Sequence, residues 1–365
     1  MLWPAAIQSR TPPDASAGTF PVMPASISHE DEDVRSLDTV WTRTLSAADG
    51  CAFDAFVERA RGGHFAQTRP WASVARATRP CLVEHFITRR DREIVGTALI
   101  VRPRVAGLLT PLAIVERGPV VDQVTDLPLV LRALVRASRR RGIVRLQVIP
   151  YWAAASADAA TDALRCCGFR STQSSAGAHA ATLRLELAEG GTLAETLVGP
   201  EHRKLRYEVA HAKRLGAIVR FGTEADLPAL ASLHRATLEA QGRRWPTEPY
   251  FAALFGAVLA DRRRGALLLC EHEGELISTV VVVRHGSIAT YLLGAGGGGR
   301  RPFGKSLLPI MRAIEWAQEQ GCRTFDLGGI PLEDDRDPKR LAIAEFKSGI
   351  SKARIRLVQQ HARWF

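Results

Sequence analysis

With 365 residues, 46% of them hydrophobic and 24% charged, the chain has the length of two ordinary domains and a core that needs no disulfide or metal staple. No apolar run reaches the ~18–20 residues of a membrane span, and the opening MLWPAAIQSRTPPDAS has no apolar centre like that of a signal peptide, so a cytoplasmic protein is expected over a secreted or membrane-spanning one. The net charge of +11 favours polyanionic partners: nucleic acid, phosphorylated substrates, or an anionic lipid surface met peripherally.

Residues 1–39 are rich in Pro, Ser and Ala, hold six carboxylates against two arginines, and have no apolar periodicity. They are expected to be a disordered acidic leader, which leaves +15 on the rest of the chain. Beyond the leader the chain repeats itself. DREIVGTALIVR (91–102) matches EGELISTVVVVR (273–284) at an offset of 182. In both, a polar turn leads into alternating and then continuous β-formers, the pattern of a hairpin feeding a buried strand. RRRGIVRLQVIP (139–150) likewise matches QEQGCRTFDLGGIP (318–331). An apolar-spaced helix precedes each, through Leu127, Val130, Leu131 and Leu134 in one copy and Leu307, Ile310, Met311 and Ile314 in the other. Gly142 and Gly321 then serve as helix C-caps before a strand. Between the copies, 197–215 reads as a basic helix ending at Gly216, and 226–241 as another. Strands alternating with helices make each copy an α/β unit with a mixed sheet. The expected division is an N-terminal unit over 40–186 and a C-terminal unit over 187–365.

The six cysteines form no CxxC and no zinc spacing with histidine, which fits free thiols in a reducing compartment. The acidic run Glu333, Asp334, Asp335, Asp337 lacks the glycine and spacing of a calcium loop. No metal is expected.

Several strings stand in a recognisable order. QTRPW (67–71) and ERGPV (116–120) lie in the first unit. HRKLRYEVAHAKRLG (202–216), GRRWPTEPYFAAL (242–254), FDLGGIP (325–331) and EFKSGIS (345–351) follow in the second. Together they resemble the FemAB-like (FemXAB) aminoacyltransferases, over nearly everything after residue 40. The resemblance implies two tandem GNAT-like units with the transfer site on the second. It implies an enzyme that moves an amino acid from charged tRNA to an amine of a peptidoglycan-precursor peptide or a related envelope or natural-product acceptor. The implied partners are charged tRNA and a phosphorylated cell-wall precursor or other amine acceptor, not DNA, and no cofactor beyond the donor.

An aminoacyl ester attacked by an amine passes through a tetrahedral oxyanion, so the site must hold both reactants and stabilise that charge. On the matched segment, Lys347 is the candidate for this role, and Phe346 could stack on the terminal base of the donor; a core Phe beside a solvated Lys is the alternative. Asp326 ends a strand, where α/β sheets bind ligands. Gly328 and Gly329 could offer N–H groups to the oxyanion, or make a tight turn that Asp326 caps. For the acceptor, Arg203, Arg206 and Tyr207 on the basic helix could grip a diphosphate or carboxylate. Arg243 with Trp245 mixes charge and aromatic surface, as RNA ends prefer. Gln67, Trp71 and Arg117 contribute from the first unit, although Trp71 also reads as core.

The segment GAGGGGRRPFGKS (294–306) keeps a second donor open. It loosely resembles the pyrophosphate loop of acyl-CoA-dependent GNAT enzymes ahead of a helix, and its Arg301 and Lys305 could hold phosphates of either donor. The second reading is therefore an acyl-CoA-dependent N-acyltransferase. A third is a non-catalytic RNA-binding protein.

Overall fold

The structure, a computed structural model, describes residues 36–172, 181–239, 248–297, 304–331 and 336–365. Most of the expected leader lies outside these residues. Its last part starts a strand, β1 (Asp38–Thr42), so ordered chain begins before residue 40. Helix α1 (Ala47–Arg59) follows, capped by Ser46, whose hydroxyl accepts from Asp49 N at 3.0 Å and so satisfies a first-turn donor. Next come a 3-10 turn (Phe65–Gln67), α2 (Trp71–Thr78), β2 (Cys81–Arg90), β3 (Glu93–Val105), β4 (Leu108–Leu109) and β5 (Leu112–Glu116). Then follow α3 (Leu127–Arg140), β6 (Arg145–Ile149), α4 (Ala155–Cys166), β7 (Arg170–Ser171), β8 (Ala181–Glu186) and α5 (Leu193–Thr196). The chain continues through α6 (Arg203–Arg214), β9 (Ile218–Phe221), α7 (Leu227–Glu239), α8 (Glu248–Leu254), β10 (Gly265–His272) and β11 (Glu275–His285). It closes with β12 (Ile288–Gly296), α9 (Leu307–Glu319), β13 (Thr324–Ile330), α10 (Pro338–Ser348), β14 (Arg354–Arg356) and β15 (His361–Trp364).

The two copies of the repeat fold alike. The β2–β3 and β10–β11 hairpins both turn on two residues of positive φ, Asp91 (50°) with Arg92 (70°) and Glu273 (53°) with Gly274 (79°), the geometry that suits the twist of a two-residue hairpin. Helices α3 and α9 both stop at a left-handed glycine, Gly142 and Gly321, and each feeds a strand that pairs in parallel with its neighbour. The remaining ladders are antiparallel, so both sheets are mixed. One runs β1-β2-β3-β5-β6-β15-β7, with β4 on β3; the other runs β14-β8-β13-β12-β11-β10-β9.

The sheets do not divide at 186/187. Strand β8 pairs with β13 and β14 in the second sheet, and the C-terminal β15 pairs with β6 and β7 in the first. Each unit thus lends a strand to the other, a long-range pairing that local sequence pattern does not encode. The packing follows suit. One core lies between α3, α4 and the first sheet, and a second lies between α9 and the second sheet. A third joins the units, with Phe65, Trp71 and Val74 against Leu230, Phe251 and Val281. Burying that shared apolar surface gives the two units a fixed relation.

Candidate active site

Strands β12 and β13 pair only through Ile288↔Thr324, Ala289↔Phe325 and Thr290↔Asp326, and then part. Their counterparts in the first unit, β5 and β6, stay paired from Leu112↔Arg145 to Glu116↔Ile149. The gap in the second sheet opens a cavity of about 90 Å³. Tyr291, Asp326, Gly328, Gly329 and Lys347 line it from the second unit, and His64, Phe65, Arg117 and Tyr151 from the first. It stands inside the second sheet, where the β12–β13 ladder ends; Asp326, expected at a strand end, is the third residue of β13.

Asp326 organises the floor. Strand β13 departs from regular pairing with β8 between Asp326 and Gly329, and Gly328 inside that irregularity has φ +76°, a conformation that favours glycine. The bend turns Gly328 N onto Asp326 Oδ1 at 2.8 Å. Thr182 Oγ1 donates to the same oxygen. The other oxygen, Oδ2, accepts from Tyr151 Oη at 3.1 Å and from Arg184 Nε at 3.2 Å. The four lone-pair sites of a carboxylate are thereby filled. Asp326 holds the site in shape and has no vacancy for a substrate proton, so the catalytic role expected of it becomes a positioning role. Gly328 N is likewise engaged by Asp326 and is not free for an oxyanion.

Lys347 enters from the last turn of α10. It is 8% exposed, donates to Gly329 O at 2.9 Å, and sits 5.8 Å from the Tyr291 ring centroid. Burial lowers its pKa to about 8, with Asp326 pulling the other way. It is a partly desolvated cation poised to change charge near neutral pH. Phe346 beside it is 39% exposed, outside the cavity wall, where an aromatic face can meet a base.

The first unit supplies three groups. His64 Nδ1 accepts from Ala66 N at 3.1 Å, so its ring proton is on Nε2. Burial first, then Arg117, hold its pKa well below the usual value, and it stays neutral. Tyr151 packs at a tilt against His64, ring centroids 4.5 Å apart, and accepts from Arg184 Nη2 at 2.7 Å. Burial and Asp326 push its pKa up to about 12, so it remains a donor. Arg117 has φ +57° at the end of β5. It is 7% exposed, its guanidinium lies 5.5 Å from the Tyr151 ring centroid, and its Nη1 has no hydrogen-bond partner.

Of the sequence candidates, the cavity therefore gathers Lys347, Asp326, Gly328, Gly329 and Arg117. It does not gather Gln67, which is 1% exposed; its amide donates to Glu116 O at 2.5 Å and accepts from Leu99 N at 2.6 Å. Instead of touching an acceptor, Gln67 clamps the backbone that presents Arg117. Trp71 packs edge-on to Phe65 in the shared core, its alternative reading. Arg206 donates to Leu197 O and Gly199 O, tying down the loop before α6, while Arg203 and Tyr207 are exposed on that helix away from the cavity. Lys305 points its ammonium at Gly297 O, 2.6 Å away. Arg243, Trp245 and Arg301 lie outside the described residues. Sequence reasoning missed His64, Tyr151, Thr182 and Arg184. The signal for the last two was present: residues 182 and 184 alternate on one face of a strand, but that strand was assigned to the other unit.

Among the described residues no group of three or more His, Cys, Asp or Glu could hold a metal ion. No helix among them is long and apolar enough to cross a membrane.

A family model for the acetyltransferase (GNAT) domain matches residues 201–347. No curated protein sequence matches the chain. Among solved structures, FemX superposes with a TM-score of 0.75 at 18% identity, over 90% of this chain and 97% of its own. A tandem GNAT protein from the clavulanic acid biosynthesis pathway gives 0.54 at 14% identity, over 90% and 98%. L-PGS from Bacillus licheniformis gives 0.50 at 15% identity, over 73% and 80%. The chain has the FemXAB-like tandem GNAT fold, and residues 201–347 are similar to an acetyltransferase (GNAT) domain.

Proposed function

We propose that the protein transfers an aminoacyl group from charged tRNA to an amine, forming an amide bond in the cavity where β12 and β13 part. One observation carries this reading: a buried, desolvated Lys347 facing a cavity, with an exposed Phe346 next to it in the chain. An aminoacylated ribose needs that pair, a cation at the ester carbonyl and an aromatic face for the terminal adenine. In the transfer, the acceptor nitrogen bonds to the ester carbon while Lys347 stabilises the oxyanion. The carbon–oxygen bond to the ribose then breaks, the ribose oxygen takes up a proton, and the amine loses one to solvent. Asp326, Tyr151, Thr182 and Arg184 hold the floor rigid during these steps. The +11 net charge supports a polyanionic donor, and the likeness to FemX supports a peptidoglycan-precursor peptide, or a related envelope acceptor, as the amine.

The acyl-CoA reading has less support. The ammonium of Lys305 is turned to Gly297 O, and the first N–H groups of α9, those of Leu307 and Leu308, are both taken by Gly304 O at 2.9 Å. A purely RNA-binding role gives no account of a buried lysine in a cavity. Total tRNA charged with labelled amino acids, and separately labelled acetyl-CoA, incubated with the full chain and a pool of cell-wall precursors, decide between these donors. Ribonuclease-sensitive label transfer is the expected result. Transfer from acetyl-CoA alone would overturn the proposal, and tight tRNA binding with no transfer to any amine would favour the RNA-binding role.

A further inference from the structure

The charges around the cavity do not balance. Among the described residues its only acidic wall residue is Asp326, whose oxygens are filled and whose charge faces Arg184 at 3.2 Å. That leaves two cations. Lys347 has a neutral carbonyl as its partner. Arg117 is 7% exposed and has a buried Nη1 with no partner at all. A guanidinium is a costly group to bury alone, and buried charges are as a rule paired. The surrounding structure nevertheless holds Arg117 in place: Gln67 ties Glu116, the residue before it, to Leu99 on β3, and its guanidinium lies over the Tyr151 ring. Such a fixed, unpaired fork is a receptor for a planar anion.

We infer that Arg117 is the anchor of a carboxylate subsite, and that the acceptor carries a free carboxylate close to its reacting amine. Assigning the carboxylate to the acceptor rests on the transfer reading; the anion subsite itself does not. The α-carboxyl of an aminoacyl-tRNA is the ester itself and its free α-group is an ammonium, so only an aspartyl or glutamyl donor brings a carboxylate of its own, on its side chain. A cavity of about 90 Å³ is far below the size of a nucleotide pocket, so a terminal group enters it and not a base or a sugar. Arg117 and Lys347 share that small space, which places the bound carboxylate only a few bonds from the carbonyl under attack. The chemistry that fits is an amino acid centre: a free amino acid, or a residue in a peptide that keeps its own carboxyl outside the peptide bond. Neutral His64 adds an Nε2 proton donor on the same wall.

The test is calorimetric binding of the full chain, without tRNA, to L- and D-amino acids, their carboxamides, the corresponding decarboxylated amines, and inorganic phosphate. At least one amino acid is expected to bind about tenfold or more tighter than its carboxamide. Arg117→Gln removes that preference, and Arg117→Lys, which keeps the charge but not the fork, restores part of it. Equal binding of acid and amide, an undiminished preference in Arg117→Gln, no binding by any of the set, or phosphate competing as strongly as the amino acid would each overturn the subsite. If Arg117→Gln does not fold, an undiminished preference in Arg117→Lys overturns the role of the fork. The transfer reading fails separately: carboxylate-dependent binding with no transfer from charged tRNA leaves the subsite standing, and transfer indifferent to the carboxylate leaves the enzyme standing.

Discussion

Tyr151 donates its hydroxyl to Asp326 Oδ2 at 3.1 Å, and that bond ties the segment just past β6 in the first sheet to β13 in the second. The residues on either side of it come from both sheets, so the cavity exists only where the units meet. Tyr151→Phe leaves Arg184 as the remaining donor to that oxygen. The expected result is a loss of about 1–2 kcal/mol in denaturant unfolding together with a several-fold drop in transfer. Unchanged stability and unchanged transfer would show that the bond contributes to neither.

Asp326→Asn is expected to be more damaging. An amide cannot accept at both ends, so either the Thr182 and Gly328 donors or the Tyr151 and Arg184 donors would face an NH2 group. Arg184 would also lose its ion pair. A stability loss of roughly 2–4 kcal/mol follows, read as a shift in the urea midpoint. A mild effect on folding with complete loss of transfer would instead return Asp326 to a chemical role.

Much of this architecture was legible in the sequence. The repeat at an offset of 182 marked both hairpins, and the glycine-ended helices marked both parallel strands, because helix and strand periods and left-handed caps are local properties. Lys347 and Asp326 were legible because a resemblance placed them. The sequence did not show which sheet β8 and β15 join, since strand pairing over such separations depends on the whole packed structure. That missing fact concealed Thr182 and Arg184 as partners of Asp326. His64, and the clamping role of Gln67, were hidden for a related reason: both residues belong to a short turn whose meaning comes from the strands it touches.

Lys347 gives a pH signature. Its pKa of about 8 means that its charged form is lost as pH rises through about 8, and transfer that depends on the ammonium falls on that limb. Lys347→Arg stays charged throughout, so any activity it retains should lack the limb. Stability moves in the opposite sense. The unfolded lysine keeps its proton up to its ordinary value of 10.5, so the folded state carries a penalty of roughly 3 kcal/mol below pH 8. Wild-type stability should therefore rise between about pH 8 and pH 10.5. Lys347→Met should be more stable than wild type at pH 7 and lose that advantage above this window, as measured by unfolding at both ends. A flat difference across the range would contradict the buried-lysine account.

Gly328→Ala tests the bend at the cavity floor. The residue has φ +76°, and an added Cβ would stand 3.0 Å from Tyr291 O and 3.7 Å from Lys347 Nζ. Left-handed strain alone costs about 1–2 kcal/mol, and the methyl group would press on Tyr291 O. Reduced thermal stability and reduced transfer are expected together. Full activity would mean that the backbone at Gly328 does not need its observed conformation.

The central claim is that the acyl group is transferred beside Lys347, in the gap between β12 and β13. The most direct measurement is a structure of the full chain with a non-hydrolysable aminoacyl-adenosine whose ester oxygen is replaced by nitrogen. The account predicts its carbonyl within hydrogen-bonding reach of Lys347 Nζ and its adenine against Phe346. Binding at the 294–306 loop instead, with the cavity empty, would contradict it.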